Sequence, residues 1–178
     1  MRYIQGSLDH ILCYDGNAID PLVLQGYQLR LGKNSLYQNI CFYLAGGPIS
    51  WNSRKQKSVA LSSTEAEYIA ACQASKEAIW IRLLLYDLHH TQFNATTILC
   101  DNMSCISLSL NPRFHGKSKH IKIQYHFIRE KVFSGQVIFQ YCSTIEMVAD
   151  IFTKALPKIK HQKFFSTLNL TKLPRHQP

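Results

Sequence analysis

Residues 61–71, with the sequence LSSTEAEYIAA, begin the longest helical pattern in the chain and limit how the other segments can be arranged. Ser62 is a favourable N-cap, and Glu65 completes a capping box ahead of an apolar run, which gives Glu65 a structural role. Glu67 lies beyond the cap, among small residues that would let another segment or a ligand come close. Such a carboxylate is usually solvated surface. A functional role for Glu67 therefore depends on whether other acids converge on it.

The chain is basic, and its acids are unevenly spread. In 178 residues, 20 Lys and Arg oppose 11 Asp and Glu, which gives a net charge of +9 and a pI near 9.3. No acid occurs between Asp20 and Glu65, an interval that contains several Lys and Arg residues. This balance favours an anionic polymer or surface as partner. The length suits one domain with a core and some peripheral chain.

Cysteine usage and hydropathy indicate the cellular compartment. The six cysteines form no C-x-x-C pair and lie mostly in apolar runs, which predicts reduced, buried thiols rather than a disulfide or zinc framework. The N-terminal residues lack the apolar core of a signal peptide, and no segment approaches the ~20 apolar residues of a membrane helix. We therefore expect an intracellular protein, cytoplasmic or nuclear, that is neither secreted nor inserted in a membrane.

The remaining pattern alternates between strands and helices. Strands are predicted at 22–27, 40–45, 49–51, 96–100 and 137–142, and helices at 63–89, 104–110, 121–132 and 161–168, with a further helix around Asp150 capped by 144–146. Gly46-Gly47-Pro48 is a turn signal that makes a hairpin of the second and third strands. The long helix before residue 96 implies that the next strand pairs in parallel with an earlier one. The order fits an α/β fold with a mixed central sheet flanked by helices.

The long helix is predicted to face the core with one side. Its spacing places Ile69, Cys72, Ile79 and Leu83 on that side. By contrast, residues 28–39 follow neither a strand nor a helix period.

Three carboxylates stand at the ends of predicted elements: Glu67 at a helix start, Asp101 after a strand and Asp150 in a late helix. Each has a structural alternative, since Asp101 could cap the helix from Ser104 and Asp150 could favour the positive end of its own helix. Ligand sites in open α/β sheets form beyond the carboxyl ends of strands, which favours a joint site. Two Mg²⁺ ions about 4 Å apart on such ligands can drive phosphodiester cleavage. That site needs roughly four carboxylates, and the sequence offers three.

Two basic segments are candidates for contact with nucleic-acid phosphates. Their cations are Arg54, Lys55 and Lys57 in the first segment and Lys117, Lys119 and Lys122 in the second. The alternative is an ordinary solvated face. We interpret Trp51, Tyr125 and Phe127 as core residues rather than platforms for stacked bases.

Four ordered motifs resemble the ribonuclease H domain of copia-type LTR-retrotransposon Pol polyproteins. They are ALSSTEAEYIA at 60–70, CDN at 100–102, KHI with YHFIR between 119 and 129, and ADIFTK at 149–154. The resemblance covers nearly the whole chain and implies an RNase H-like fold. It also implies Mg²⁺-dependent hydrolysis of RNA in RNA–DNA hybrids, within a polyprotein that carries a reverse transcriptase. Residues 1–20 would be the tail of that reverse transcriptase region, 21–157 the RNase H-like domain, and 158–178 a basic C-terminal tail.

The same resemblance assigns site residues. Glu67 matches the helix glutamate of the family's metal site, with Glu65 as the alternative if the register differs by two, while Asp101 and Asp150 match the strand-end and late aspartates. The family's first strand continues after Gly-Tyr with Asp-x-Asp-Trp, which supplies the central metal ligand. Here QLRLGK follows Gly26-Tyr27 and contains no acid, as a frameshift or a faulty gene model around residues 28–39 would produce. The resemblance therefore implies an incomplete Mg²⁺ site and an impaired ribonuclease.

Two other functions stay open at this point. A non-catalytic remnant would keep the fold and the basic surface and would bind or scaffold nucleic acid. An inert fragment of a degenerate element would do neither. Salt-dependent hybrid binding without cleavage distinguishes the remnant from an enzyme. An intact element of this kind would act in a cytoplasmic virus-like particle or in the nucleus.

Overall fold

A computed structural model describes residues 9–14, 23–30, 37–56, 62–110, 119–152 and 155–172 of the chain. For residues 29, 30, 37 and 119–122 it describes the backbone alone.

Five strands form a mixed central sheet. They are β2 (Gln25–Arg30), β3 (Tyr37–Leu44), β4 (Gly47–Lys55), β5 (Thr96–Cys100) and β6 (Val137–Tyr141), in the order β4-β3-β2-β5-β6. β2 pairs antiparallel with β3 and parallel with β5, so the predicted parallel pairing of residues 96–100 is confirmed. In that register Gln28 lies opposite Cys100, which brings the carboxyl ends of β2 and β5 together.

Four α-helices and a 3₁₀ helix flank this sheet. They are α1 (Ser63–Asp87), α2 (Met103–Leu110), α3 (Lys119–Phe133), the 3₁₀ helix (Val148–Phe152) and α4 (Lys158–Thr167). The four predicted helices are present with small shifts of their ends. The helix expected around Asp150 is the short 3₁₀ helix rather than a capped α-helix, and a turn occupies 144–146 ahead of it.

Helix α1 begins as the sequence indicates, and of its four predicted core residues Ile69 and Cys72 are buried and Ile79 is partly buried. The backbone N–H of Glu65 donates to Ser62 Oγ at 3.1 Å, which confirms Ser62 as the N-cap. Leu83 is 60% exposed, so its predicted place in the core is wrong. Small side chains let α1 lie close on the sheet, and its buried residues include Ala66, Ala70, Ala71, Ala74 and Ala78.

The hairpin between β3 and β4 is confirmed, with its turn at Ala45-Gly46 rather than at residues 46–48. Both turn residues have positive φ, 51° and 74°, as a two-residue type I′ connection requires. Pro48 is then already in β4, where it is tolerated because β4 is an edge strand of the sheet.

The two faces of the sheet carry separate apolar clusters. On one face, residues such as Phe42 and Ile98 pack against α1 and α3. Gly26 is needed there because a Cβ would overlap the Phe42 ring of the paired strand. On the other face, Tyr27 and Cys41 pack with the 3₁₀ helix and α4. Side chains of β2 therefore alternate between two covered faces.

The predicted core aromatic residues have different outcomes. Tyr125 is buried and stacks on Tyr68 with ring centroids 3.8 Å apart, and Phe127 packs at the margin of the same cluster. Trp51 is 60% exposed, so its assignment to the core is wrong. It lies on the edge strand β4, whereas the 3₁₀ helix packs against β2 and β3.

A second, two-stranded sheet joins segments that are far apart in sequence. β1 (His10–Leu12) pairs antiparallel with β7 (Leu170–Lys172). The backbone N–H of Cys13 extends this pairing with a 3.0 Å hydrogen bond to the Asn169 carbonyl. The predicted lead-in and basic tail thus contact each other directly.

All six cysteines are free, and five of them are buried. None of the helices in the described ranges is long and apolar enough to span a membrane.

Candidate active site

The carboxylate of Glu67 is held by an amide from the neighbouring strand. Gln28 Nε2 donates to Glu67 Oε2 at 3.1 Å and to the Glu67 backbone carbonyl at 3.4 Å. Both side chains are buried, with 0% and 7% of their surface exposed. Strand alternation explains the contact, because Leu24, Gly26 and Gln28 all face α1. The amide solvates the carboxylate but adds no negative charge with which to bind a cation.

Asp101 follows β5 and lies close to the same place. A hydrogen bond with Cys100, burial, and the charges of Glu67 and Asp101 all raise the pKa of the Cys105 thiol. The charges of both carboxylates therefore raise the pKa of the same thiol, as expected if Glu67 and Asp101 lie near each other. Asn102 supplies the cap of α2, since its Oδ1 accepts from the Cys105 backbone N–H at 2.9 Å.

Asp150 approaches from the opposite face of the sheet. Its 3₁₀ helix packs with the cluster around Tyr27, whereas Glu67 belongs to α1 on the other face. The side chain is buried, and Lys160 Nζ lies 3.1 Å from Asp150 Oδ2. Lys160 also donates to the Thr144 carbonyl at 3.1 Å. The ammonium from α4 thus meets the charge of Asp150 inside the protein.

The three predicted ligands do not form a ready metal site. In the parts of the chain that the structure describes, no three His, Cys, Asp or Glu side chains lie close enough to hold a metal ion. Glu67 and Asp101 share a neighbourhood, and Asp150 is engaged by Lys160. The residues present therefore do not fit a bound Mg²⁺ in this arrangement. Their assignment as metal and catalytic residues stays a prediction.

The basic candidates are only partly described. Arg54 and Lys55 are exposed at the end of β4, and Arg54 donates to Gln73 Oε1 at 3.4 Å. Lys57 and Lys117 lie outside the described residues. Lys119 and Lys122 belong to α3, but their side chains are not described.

Sequence reasoning missed Gln28 and Lys160, which contact Glu67 and Asp150. In the sequence Gln28 stands out only because an acid is absent there, although alternation from Leu24 along the strand places it on the side that faces α1. Lys160 carries no local signal, because its contact with Asp150 joins two separate elements.

Comparison with known proteins places the chain among retrotransposon proteins. No protein-family model matches it. It is 44% identical over 177 residues, 98% of its length, to the retrovirus-related Pol polyprotein from transposon RE1 of Arabidopsis thaliana. It is 38% identical over 169 residues, 91% of its length, to the corresponding polyprotein from transposon TNT 1-94 of Nicotiana tabacum. The chain spans only about 12% of each of these relatives.

A solved structure supports the fold. LC11-RNase H1, crystallised in complex with an RNA/DNA hybrid, matches with a TM-score of 0.50 over 70% of this chain and 88% of that protein. The sequences are 10% identical, so this likeness concerns the fold alone. The mixed five-stranded sheet flanked by helices is that of RNase H, as predicted. The chain is therefore homologous to a segment of copia-type retrotransposon Pol polyproteins, and its fold is that of RNase H.

Proposed function

We propose that this RNase H domain binds RNA–DNA hybrids and hydrolyses their RNA strand weakly or not at all. The observation that carries the proposal is the 3.1 Å hydrogen bond from Gln28 to Glu67, in the strand where the family resemblance expects a metal-binding Asp. Glu67, Asp101 and Asp150 are the residues that would hold Mg²⁺ and carry hydrolysis in an active copy.

The electrostatics of the site support weak metal binding. A two-ion centre needs several converging carboxylates to offset the charge of the cations. Gln28 contributes a neutral amide to Glu67, and Lys160 brings a positive charge to Asp150. Both contacts engage groups that an Mg²⁺ ion would otherwise coordinate.

Hybrid binding is supported independently of the metal. The net charge of +9 favours a polyanion, and Arg54 and Lys55 present exposed cations at the end of β4. LC11-RNase H1, which shares the fold, was crystallised with an RNA/DNA hybrid. We further propose that a reverse transcriptase region of the same polyprotein delivers the hybrid inside the cell.

A cleavage and binding assay on a labelled hybrid tests the proposal. We expect the unmodified chain to bind the hybrid with an affinity that falls as salt rises, and to leave the RNA intact in Mg²⁺ or Mn²⁺. Cleavage that disappears in Glu67→Gln would show that the domain is an active ribonuclease. Absence of any binding would instead favour an inert fragment.

A charge-matched pair of variants locates the binding surface. Replacing Arg54 and Lys55 together by Gln should weaken binding and lower the salt slope by about one unit per lost phosphate contact. The control replaces Lys158 and Lys163, exposed on α4, by Gln, which makes the same change of net charge elsewhere. Equal losses in both pairs would show that net charge, and not the β4 surface, drives binding.

A further inference from the structure

A cavity of about 420 Å³ opens where the ends of β3 and β4 meet α1 and α3. Its volume lies within the roughly 300–1,000 Å³ of sites for small ligands. Four glutamines from four segments line it, so we name it the glutamine pocket: Gln38, Gln56, Gln73 and Gln124. None of the predicted metal ligands lines this cavity.

The pocket contains buried hydrogen-bond acceptors. The Oε1 atoms of Gln38, Gln56 and Gln124 are buried and have no hydrogen-bond partner among the described residues. Gln38 and Gln56 are only 2% and 6% exposed. The orientation of Gln56 is defined, because its Nε2 donates to the Ala66 carbonyl at 2.7 Å. Since a buried acceptor without a donor is costly, three on residues that line one cavity favour a ligand that supplies N–H or O–H groups.

The other walls suit the remaining parts of a nucleotide. Arg54 and Lys55 line the cavity and are exposed, and no acid lines it among the residues that the structure describes. Such cations bind a phosphate group. Ile69 of α1 supplies an apolar surface for the face of a base.

We propose that the glutamine pocket binds one unpaired nucleotide of a nucleic-acid strand, with its base against the amides and its phosphate against Arg54 and Lys55. This rests on the proposed function, because the nucleotide would be an overhang or bulge of a bound hybrid. In a base pair the Watson–Crick donors are hydrogen-bonded to the partner base, so only an unpaired base can donate them to the amides. Guanine presents an imino and an amino group side by side, whereas adenine and cytosine present an amino group alone and uracil an imino group alone. The pocket therefore prefers guanine.

Affinity for matched hybrids tests the pocket. Fluorescence anisotropy compares a blunt hybrid with hybrids that carry a single unpaired G or U at one end. We expect the G overhang to bind about tenfold tighter than the blunt hybrid, and the U overhang to gain less. Gln38→Leu and Gln124→Leu, which remove an acceptor at similar volume, should each abolish the gain. The control Gln162→Leu makes the same change on the exposed side of α4 and should keep it.

The outcomes separate the pocket from the proposed function. Equal affinities for blunt and G-overhang hybrids would overturn the pocket and leave hybrid binding intact. If no hybrid binds, the proposed function fails, and guanosine monophosphate alone is titrated by NMR. Saturable shifts that Gln38→Leu or a folded Gln124→Leu removes would then support the pocket, and absent shifts would overturn it.

Discussion

The interior of the central sheet has the architecture that the family resemblance implies. The carboxyl ends of its strands match the implied metal site less well. The interior has the expected mixed sheet and parallel pairing of residues 96–100, with Phe42 and Ile98 fully buried. At the strand ends, an amide meets Glu67 and an ammonium meets Asp150. Packing needs apolar alternation and small residues on α1, whereas catalysis needs converging charges, so the fold can persist whether or not the site is active.

The largest expected effect tests the interior. Ile98→Ala removes a fully buried side chain from the internal strand β5 and should lower the free energy of unfolding by about 2–5 kcal/mol, measured by urea denaturation. The control Ile138→Ala, on the edge strand β6 and half exposed, should cost less than about 1 kcal/mol. Similar losses at both positions would show that the sheet is not packed as described.

The second-largest expected effect tests the ion pair between Lys160 and Asp150 at the strand ends. Lys160→Met leaves the buried Asp150 carboxylate without its ammonium and should destabilise by about 2 kcal/mol. This lies below the value for a fully buried pair because the Lys160 side chain is 27% exposed. Lys131→Met breaks the surface pair with Glu130 and should cost under about 0.5 kcal/mol.

A double variant identifies the cause of that loss. If the buried charge is responsible, adding Asp150→Asn to Lys160→Met should recover most of the stability. A double variant as unstable as the single one would assign the loss to packing around Lys160.

Alkaline pH tests the buried phenols of the interior. Burial, followed by the nearby Cys105 and Glu65, raises the pKa of Tyr125 to about 12 from an ordinary value near 10. The unfolded chain therefore loses this proton first, and stability present below pH 10 should fall as pH rises towards 12. The loss is on the order of 2 kcal/mol, and Tyr125→Phe should reduce it. Denaturation curves that do not change over this range would contradict the burial.

The smallest expected effect concerns the first turn of α1. This helix packs on the interior of the sheet and also carries Glu67 at the strand ends. Ser62→Ala removes the oxygen that caps the Glu65 N–H and should cost about 1 kcal/mol. Ser107→Ala, at an exposed position of α2, should stay within about 0.5 kcal/mol. The two variants are compared by thermal unfolding, and reversal of their order would place the N-cap elsewhere.

Local signals predicted much of the fold. The strand at Thr96–Cys100 and the N-cap at Ser62 were predicted at the positions where the structure has them, because both depend on a short run of neighbouring residues. The pairing of β1 with β7 could not be predicted, since it depends on strands from opposite ends of the chain. Leu83 was misplaced because the spacing of large apolar residues did not reveal that alanines form the packed side of α1.

The site was less predictable than the fold. Sequence motifs gave Glu67, Asp101 and Asp150 as candidates, but what each carboxylate contacts depends on register and on packing between elements. Gln28 reaches Glu67 only because β2 and α1 lie at a particular offset. The glutamine pocket likewise joins residues from four segments that share no sequence motif.

Mn²⁺ titration by calorimetry tests most directly whether these carboxylates form a metal centre. We expect no saturable binding to the unmodified chain. Gln28→Asp should create a site, because it puts a carboxylate beside Glu67, and the size-matched Gln28→Asn should not. Saturable Mn²⁺ binding by the unmodified chain that Glu67→Gln abolishes would contradict the proposal that the site is incomplete.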